Sequence, residues 1–297
     1  MQIHEQIELK LKMIMDRLSN RESVQIDETL IQETVKSFEE TLRRQLTSEN
    51  KDFTLRMSNL GRPNCQLYHE KNNSPKDRLP YNHILRMLIG DAVESYTDLF
   101  LKASGLNVSG GKDEVKLHFH LEDNKIVSVS GTSDIDIEEL VWDIKSASPF
   151  MYETKWSKGF DKIYEEDTFG YCAQLYGYSK AQKKKAGGWI VVNKSSGEFM
   201  VVPFTPDNEQ LEKIRNDAKE TVKYITDDSA KFAKCFSDQD ELFYKKKTGN
   251  KVLPFVCVMC GYKGSCWPNA QLKPKAKSKA ANPQTVWYTE YHEEENE

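Results

Sequence analysis

A chain of 297 residues, 38% of them apolar and 30% charged, can bury one substantial core with a smaller appended module. No stretch approaches the roughly 20 apolar residues of a membrane span, and the opening MQIHEQIELKLKM has no apolar signal core, so a cytoplasmic protein without a membrane is expected. A formal net charge of −4 excludes coating nucleic acid by charge alone, but leaves room for a local basic groove.

Ile3, Ile7, Leu11, Ile14 and Leu18 recur at helical spacing and predict an amphipathic helix over 3–18. A second helix, begun at Asp27, is predicted over 27–46, giving an N-terminal helical segment over 1–50. Residues 55–70, with Gly61 and Pro63, read as irregular at first, and a helix is predicted over 79–101. The stretches 115–121 and 126–130 alternate around a polar turn and predict a hairpin; 140–146 predicts a third strand. A helix over 167–182, a hairpin of 188–193 with 199–204, and a long helix over 207–235 follow. This order predicts an α/β fold, a central mixed β-sheet flanked by helices, with the main domain over 51–270. From Leu272, KPKAKSKAANPQ predicts a flexible basic tail over 271–297 that ends in the acidic HEEENE.

The segment GTSDIDIEELVWDIKSAS, residues 131–148, carries the chemistry. On a strand, Asp143 and Lys145 share one face, while Leu140, Trp142 and Ile144 take the other and point to the core. Asp134 lies just after the preceding strand, where a neighbouring strand end brings its carboxylate toward Asp143. Carboxylates are the hard oxygen ligands that Mg²⁺ and Mn²⁺ take. Such a metal activates water and neutralises phosphate charge, and a nearby lysine stabilises the charge that develops. A lone D-x-K is also what an exposed strand end with an ion pair looks like, so the surrounding motifs decide.

Those motifs are Gly90 with Glu94, Gly131 with Asp134, Asp143-Ile144-Lys145-Ser146, and Gln174 with Tyr178, in that order. The series resembles the RecB-like branch of the PD-(D/E)xK nucleases over about residues 55–270. Many members carry His where this chain has Glu94; phage recombination exonucleases of the lambda type also use Glu there. The resemblance implies a restriction-endonuclease-like core in which Glu94, Asp134, Asp143 and the main-chain carbonyl of Ile144 bind Mg²⁺ or Mn²⁺. It implies that Lys145 is the catalytic lysine, and that Gln174 and Tyr178, which share a helical face, turn toward the active site and the DNA backbone.

Cys257, Cys260 and Cys266 form C-x2-C-x5-C, with Cys65 about 190 residues upstream. Clustered thiols in a reducing compartment point to metal before disulfides, and four thiolates suit either zinc or an iron–sulfur cluster. The distribution resembles the iron–sulfur nucleases of the AddB and CRISPR-adaptation kind, with one Cys before the nuclease motifs and three after. It implies a 4Fe-4S cluster on Cys65, Cys257, Cys260 and Cys266 that clasps the two ends of the core through a Cys-ligated C-terminal segment, with Zn²⁺ as the alternative. Cys172 and Cys235 fall in predicted helices and read as core residues.

His118 and His120 share a strand face and read as partly exposed side chains rather than zinc ligands. The lysine runs 183–185 and 245–247 either track phosphates or are simply solvated. Tyr152, Trp156 and Phe160 either stack on bases or pack locally, and Trp287 with Tyr288 offers a docking point for a partner. The expected function is a Mg²⁺- or Mn²⁺-dependent DNA exonuclease or end-processing nuclease of recombination, repair or replication. The resemblance extends to a phage source and to a helicase or a single-strand annealing or binding protein as partner. The alternatives are a structure-specific endonuclease on the same fold and a zinc-stabilised DNA-binding module in which D-x-K is incidental.

Overall fold

The structure, a computed structural model, describes residues 1–47, 52–78, 81–110 and 114–292. The chain divides into two compact units, Met1–Arg62 with Pro80–Thr226, and Pro63–Leu79 with Asp227–Glu297. The chain starts with α1 (Ile3–Ser19), α2 (Glu28–Leu46) and, in the second unit, α3 (Asn64–Lys71). Back in the first unit come α4 (Tyr81–Ala103), β1 (Val108–Ser109), β2 (Glu114–His120), β3 (Ile126–Thr132), β4 (Ile135–Ile137) and β5 (Leu140–Ala147). It continues through α5 (Pro149–Thr154), α6 (Phe160–Glu165), α7 (Tyr171–Ala181), β6 (Lys185–Asn193), β7 (Phe199–Pro203) and α8 (Asn208–Thr226).

The central sheet of the first unit runs β1-β4-β5-β6-β7. Only β5 and β6 are parallel; the other neighbours are antiparallel. The fold is therefore mixed α/β, a mixed central sheet with flanking helices. Along β5, Val141 and Ala147 join Trp189 and Val191 of β6, Leu175 of α7, and Ala218 and Val222 of α8 in one core. Trp142 and Ile144 join Ile190, Val201, Ile7 and Leu11 of α1, and Leu101 of α4 in the other. Each large side chain so buried contributes roughly 1.5–3 kcal/mol. A strand covered on both faces reads as a nearly continuous apolar run. The expectation of a core on the Trp142 face alone is thus corrected: the Asp143 face is also interior, and Asp143 is fully buried.

Helix boundaries follow local polar chemistry. The helix predicted from 167 starts at Tyr171, because Asp167 accepts the N–H groups of Tyr171 (2.9 Å) and Cys172 (2.8 Å). The helix predicted to 235 stops at Thr226. Beyond it Asp227 folds back to accept the Ser229 N–H at 2.8 Å and hydroxyl at 2.7 Å, a turn that competes with helix. Cys235 therefore lies outside any helix and is exposed, not a core residue. Cys172 is buried on α7, as expected.

The second unit adds β8 (Gln239–Phe243), β9 (Lys246–Val252), α9 (Phe255–Val258), α10 (Lys263–Cys266), β10 (Gln271–Pro274) and β11 (Thr285–Glu290) to α3. Its antiparallel sheet runs β10-β11-β9-β8. The stretch after Pro63 is helical over 64–71, and one expectation changes: the segment read as a flexible tail supplies two strands. A buried polar centre fixes that segment. Glu241 accepts from Tyr288 Oη (2.7 Å), Thr248 Oγ1 (2.7 Å) and Asn250 Nδ2 (2.9 Å), so its buried carboxylate is well supplied with donors. Tyr288 is accordingly buried and does not form a docking surface. Of the acidic tip, residues 293–297 lie outside the described residues. No described helix is long and apolar enough to cross a membrane.

Candidate active site and cysteine cluster

The antiparallel register of β4 on β5 pairs Ile135 with Trp142, so one step outward Asp134 comes opposite Asp143. Asp134 Oδ2 accepts the Ile144 N–H at 2.8 Å, which fixes its carboxylate across the strand. Lys145 Nζ stands 2.7 Å from Asp143 Oδ2 as an ion pair. Both Asp143 carboxylate oxygens are buried, and apart from this ion pair they have no hydrogen-bond partner among the described residues. Glu94 comes from α4 into a cleft of about 450 Å³ that Arg44, Asp91, Asp134 and Ile144 also line. Two glycines permit these approaches. A Cβ at Gly90 would stand 2.9 Å from Ser146 Oγ, so a larger residue would force the Ser146 hydroxyl to turn away. A Cβ at Gly131 would stand 2.8 Å from Tyr178 Cε1, so Gly131 lets that ring close over the strand.

Electrostatics bind these groups together. Burial, then the charges of Asp143 and Glu94, push Asp134 well above the carboxylate range, against the pull of Lys145. Burial first, then Asp143 and Asp91, push Glu94 up to about 7, while Lys145 and Arg44 pull it down. Glu94 opens to the cleft, so water screens part of that shift. Burial works against the Lys145 charge, but Asp143 and Asp134 outweigh it and keep the ammonium protonated. On α7, Gln174 Nε2 donates weakly to Tyr178 Oη at 3.4 Å. Burial, with Asp143 and Asp134 nearby, pushes Tyr178 up to about 12, so its hydroxyl stays protonated.

Glu94, Asp134, Asp143 and Lys145 thus share one field, with Tyr178 beside them. Among the described residues, however, no three His, Cys, Asp or Glu side chains converge as a ready set of ligands for one ion. Tyr171 was not singled out by sequence reasoning; its ring centroid lies 5.6 Å from Lys145 Nζ and 5.3 Å from buried Lys155 Nζ. The signal was present, since Tyr171, Gln174 and Tyr178 recur at three- and four-residue steps along one helix. Arg44, at the end of α2, had no such signal.

The other candidates settle into structure. Trp156 and Phe160 are buried, Trp156 against Trp189 (5.8 Å) and Phe160 against Phe204 (5.2 Å), so they pack locally and do not face bases. Tyr152 packs against the same core. Lys184 is held by Asp136 at 2.9 Å and Lys247 by Asp240 at 2.5 Å. His118 Nδ1 lies 2.8 Å from Ser128 Oγ on an exposed strand.

In the second unit, Cys65 of α3, Cys257 of α9, Cys266 of α10 and Cys260 between them line one small cavity with Phe236 and Trp267. Asp77 ties the upstream segment to this loop: its N–H donates to Gly261 O (2.7 Å), and its carboxylate accepts from Lys263 Nζ (3.1 Å) and Gly264 N (3.1 Å). Burial raises Cys257 and Cys260, and burial with the crowding thiols pushes Cys266 up to about 12. Cys235, read from sequence as core, instead touches Cys65, accepting its backbone N–H at 3.0 Å.

No family model matches this chain, and no curated protein matches it. A solved structure titled "Crystal structure of SSO0001" is similar over 77% of this chain and 94% of that chain, with 14% identity and a TM-score of 0.45, a likeness too slight to assign a fold.

Proposed function

We propose that this chain is a divalent-metal-dependent DNA nuclease of the RecB-like PD-(D/E)xK kind, with a restriction-endonuclease-like core, that processes DNA ends in recombination, repair or replication. The observation that carries the reading is the strand pairing that sets Asp134 opposite Asp143, with Lys145 on Asp143 and Glu94 in the same field. Three acids in one field repel one another until a cation arrives. Asp143's buried oxygens, with no hydrogen-bond partner beyond the Lys145 ion pair among the described residues, are what a cation fits. Glu94, Asp134 and Asp143, with the Ile144 carbonyl, are the groups proposed to hold Mg²⁺ or Mn²⁺. When bound, the metal supplies an activated water and neutralises phosphate charge.

The chain's own residues do the rest. Lys145 keeps its proton at Nζ and holds positive charge where the phosphate gains negative charge in the transition state. Tyr178 keeps its hydroxyl proton and donates to a phosphate oxygen, with Gln174 orienting it. Arg44 adds a fixed positive charge at the cleft.

The four thiols of the second unit are proposed to hold a 4Fe-4S cluster. Their side chains line one cavity, and four thiolates suit an iron–sulfur cluster, with Zn²⁺ as the alternative. The cluster's role is structural, because metal binding to such a site counts as folding energy. Partners on this reading are DNA and a helicase or a single-strand annealing or binding protein.

The test is to incubate purified protein with linear and closed circular DNA in Mg²⁺, Mn²⁺ or EDTA. Metal-dependent loss of linear DNA alone is expected. Cleavage of the circle marks an endonuclease on the same fold, and no cleavage of either DNA with either metal overturns the reading.

A further inference from the structure

Five of the six cysteines, rather than four, gather in the second unit. Cys65, Cys257, Cys260 and Cys266 line the cavity. Cys235 stands beside Cys65, its sulfur accepting the Cys65 N–H at 3.0 Å. Its chain neighbours are anchored to the same place: Lys234 Nζ lies 3.7 Å from the centre of the Trp267 ring, and Phe236 lines the cavity.

We propose that Cys235 is a fifth thiol of this metal site: it positions Cys65 toward the bound metal, and it takes over as fourth ligand where Cys65 is lost. The proposal rests on the cluster reading above. Cys235 sits on a stretch without helix or strand, from Asp227 to Asp238, so its sulfur can shift by one contact without breaking a backbone ladder. A cysteine kept for packing is buried among apolar groups, as Cys172 is at 3% exposure; Cys235 is exposed and spends its sulfur on a candidate ligand.

The experiment is anaerobic purification of the full chain as wild type, Cys65→Ala, Cys235→Ala and the double variant. Iron, sulfide and zinc per chain, the visible absorption and the rate of metal loss to a chelator are then measured. Cys65→Ala should keep several-fold more metal than the double variant. Cys235→Ala should keep its metal but lose it to chelator several-fold faster than wild type. If Cys65→Ala fails to fold, the release rate from Cys235→Ala, which retains all four cavity cysteines, still decides. Release at the wild-type rate, or Cys65→Ala as empty as the double variant, overturns the role of Cys235 and leaves the cluster reading standing. Wild type without iron or zinc overturns both.

Discussion

Asp134 and Asp143 have the same chemistry and different neighbours, so removing them should have opposite effects on stability. Asp143 is fully buried and paired with Lys145. Asp143→Asn leaves that ammonium unpaired and should destabilise the metal-free protein by on the order of 2 kcal/mol, below the usual cost of breaking a buried pair because Lys145 keeps some water. Burial, and after it the charges of Asp143 and Glu94, disfavour the Asp134 carboxylate. Asp134→Asn keeps an acceptor for the Ile144 N–H and should stabilise by roughly 1 kcal/mol. Thermal unfolding in EDTA at neutral pH measures both, and equal shifts of the same sign would contradict the assignment. Both variants should lose cleavage. At this scale the sequence was informative wherever alternation along a strand decides direction, as for Asp143 and Lys145. It was silent on Arg44, which reaches the cleft only through the packing of α2 on α4.

At the scale of elements, the β8–β9 hairpin turns on Tyr244 and Lys245, both in the left-handed region at φ 47° and 65°. A two-residue turn of this kind favours Asn-Gly, and a side chain there costs about 1–2 kcal/mol. Lys245→Gly should therefore stabilise the second unit by about 1 kcal/mol, seen as slower amide exchange in β8 and β9. Faster exchange would contradict the turn. That missing Asn-Gly signal also explains why the hairpin was not legible in the sequence. The strands at 271–274 and 285–290 were hidden differently. Their partner β9 is remote, and the side chains that fix them are polar, with Tyr288 reaching Glu241.

Glu241 also gives the sheet a pH dependence. Burial raises its carboxyl, but the bonds from Asn250, Tyr288 and Thr248 outweigh it and lower the folded value below the ordinary 4.5. A depressed folded value contributes stability that is present above the unfolded value and lost as pH falls through the folded one. Amide protection in β9 and β11 should therefore fall as pH drops below about 4.5, and Tyr288→Phe should shrink that dependence. An unchanged dependence in Tyr288→Phe would contradict the role of this centre.

For the whole molecule, the order of predicted elements gives one main domain over 51–270, whereas the chain folds as two units and Pro63–Leu79 joins the C-terminal segment. The Cys65 spacing hinted at this, because a four-thiolate site needs both segments. If the cluster is structural, stripping it should loosen 63–79 and the strands β8 to β11 together in hydrogen exchange. Loosening of one segment alone would leave the clasp without support. The central claim, however, is catalytic and concerns the other unit. Its most direct test is single-turnover cleavage of linear DNA by wild type and Lys145→Ala, at saturating protein with Mg²⁺ or Mn²⁺. Lys145→Ala should bind DNA within a few-fold of wild type and cleave it at a rate lower by roughly 10²–10³ or more, because the ammonium acts on charge present only in the transition state. An unchanged rate with weakened binding would make Lys145 a plain phosphate contact and contradict the assigned chemistry.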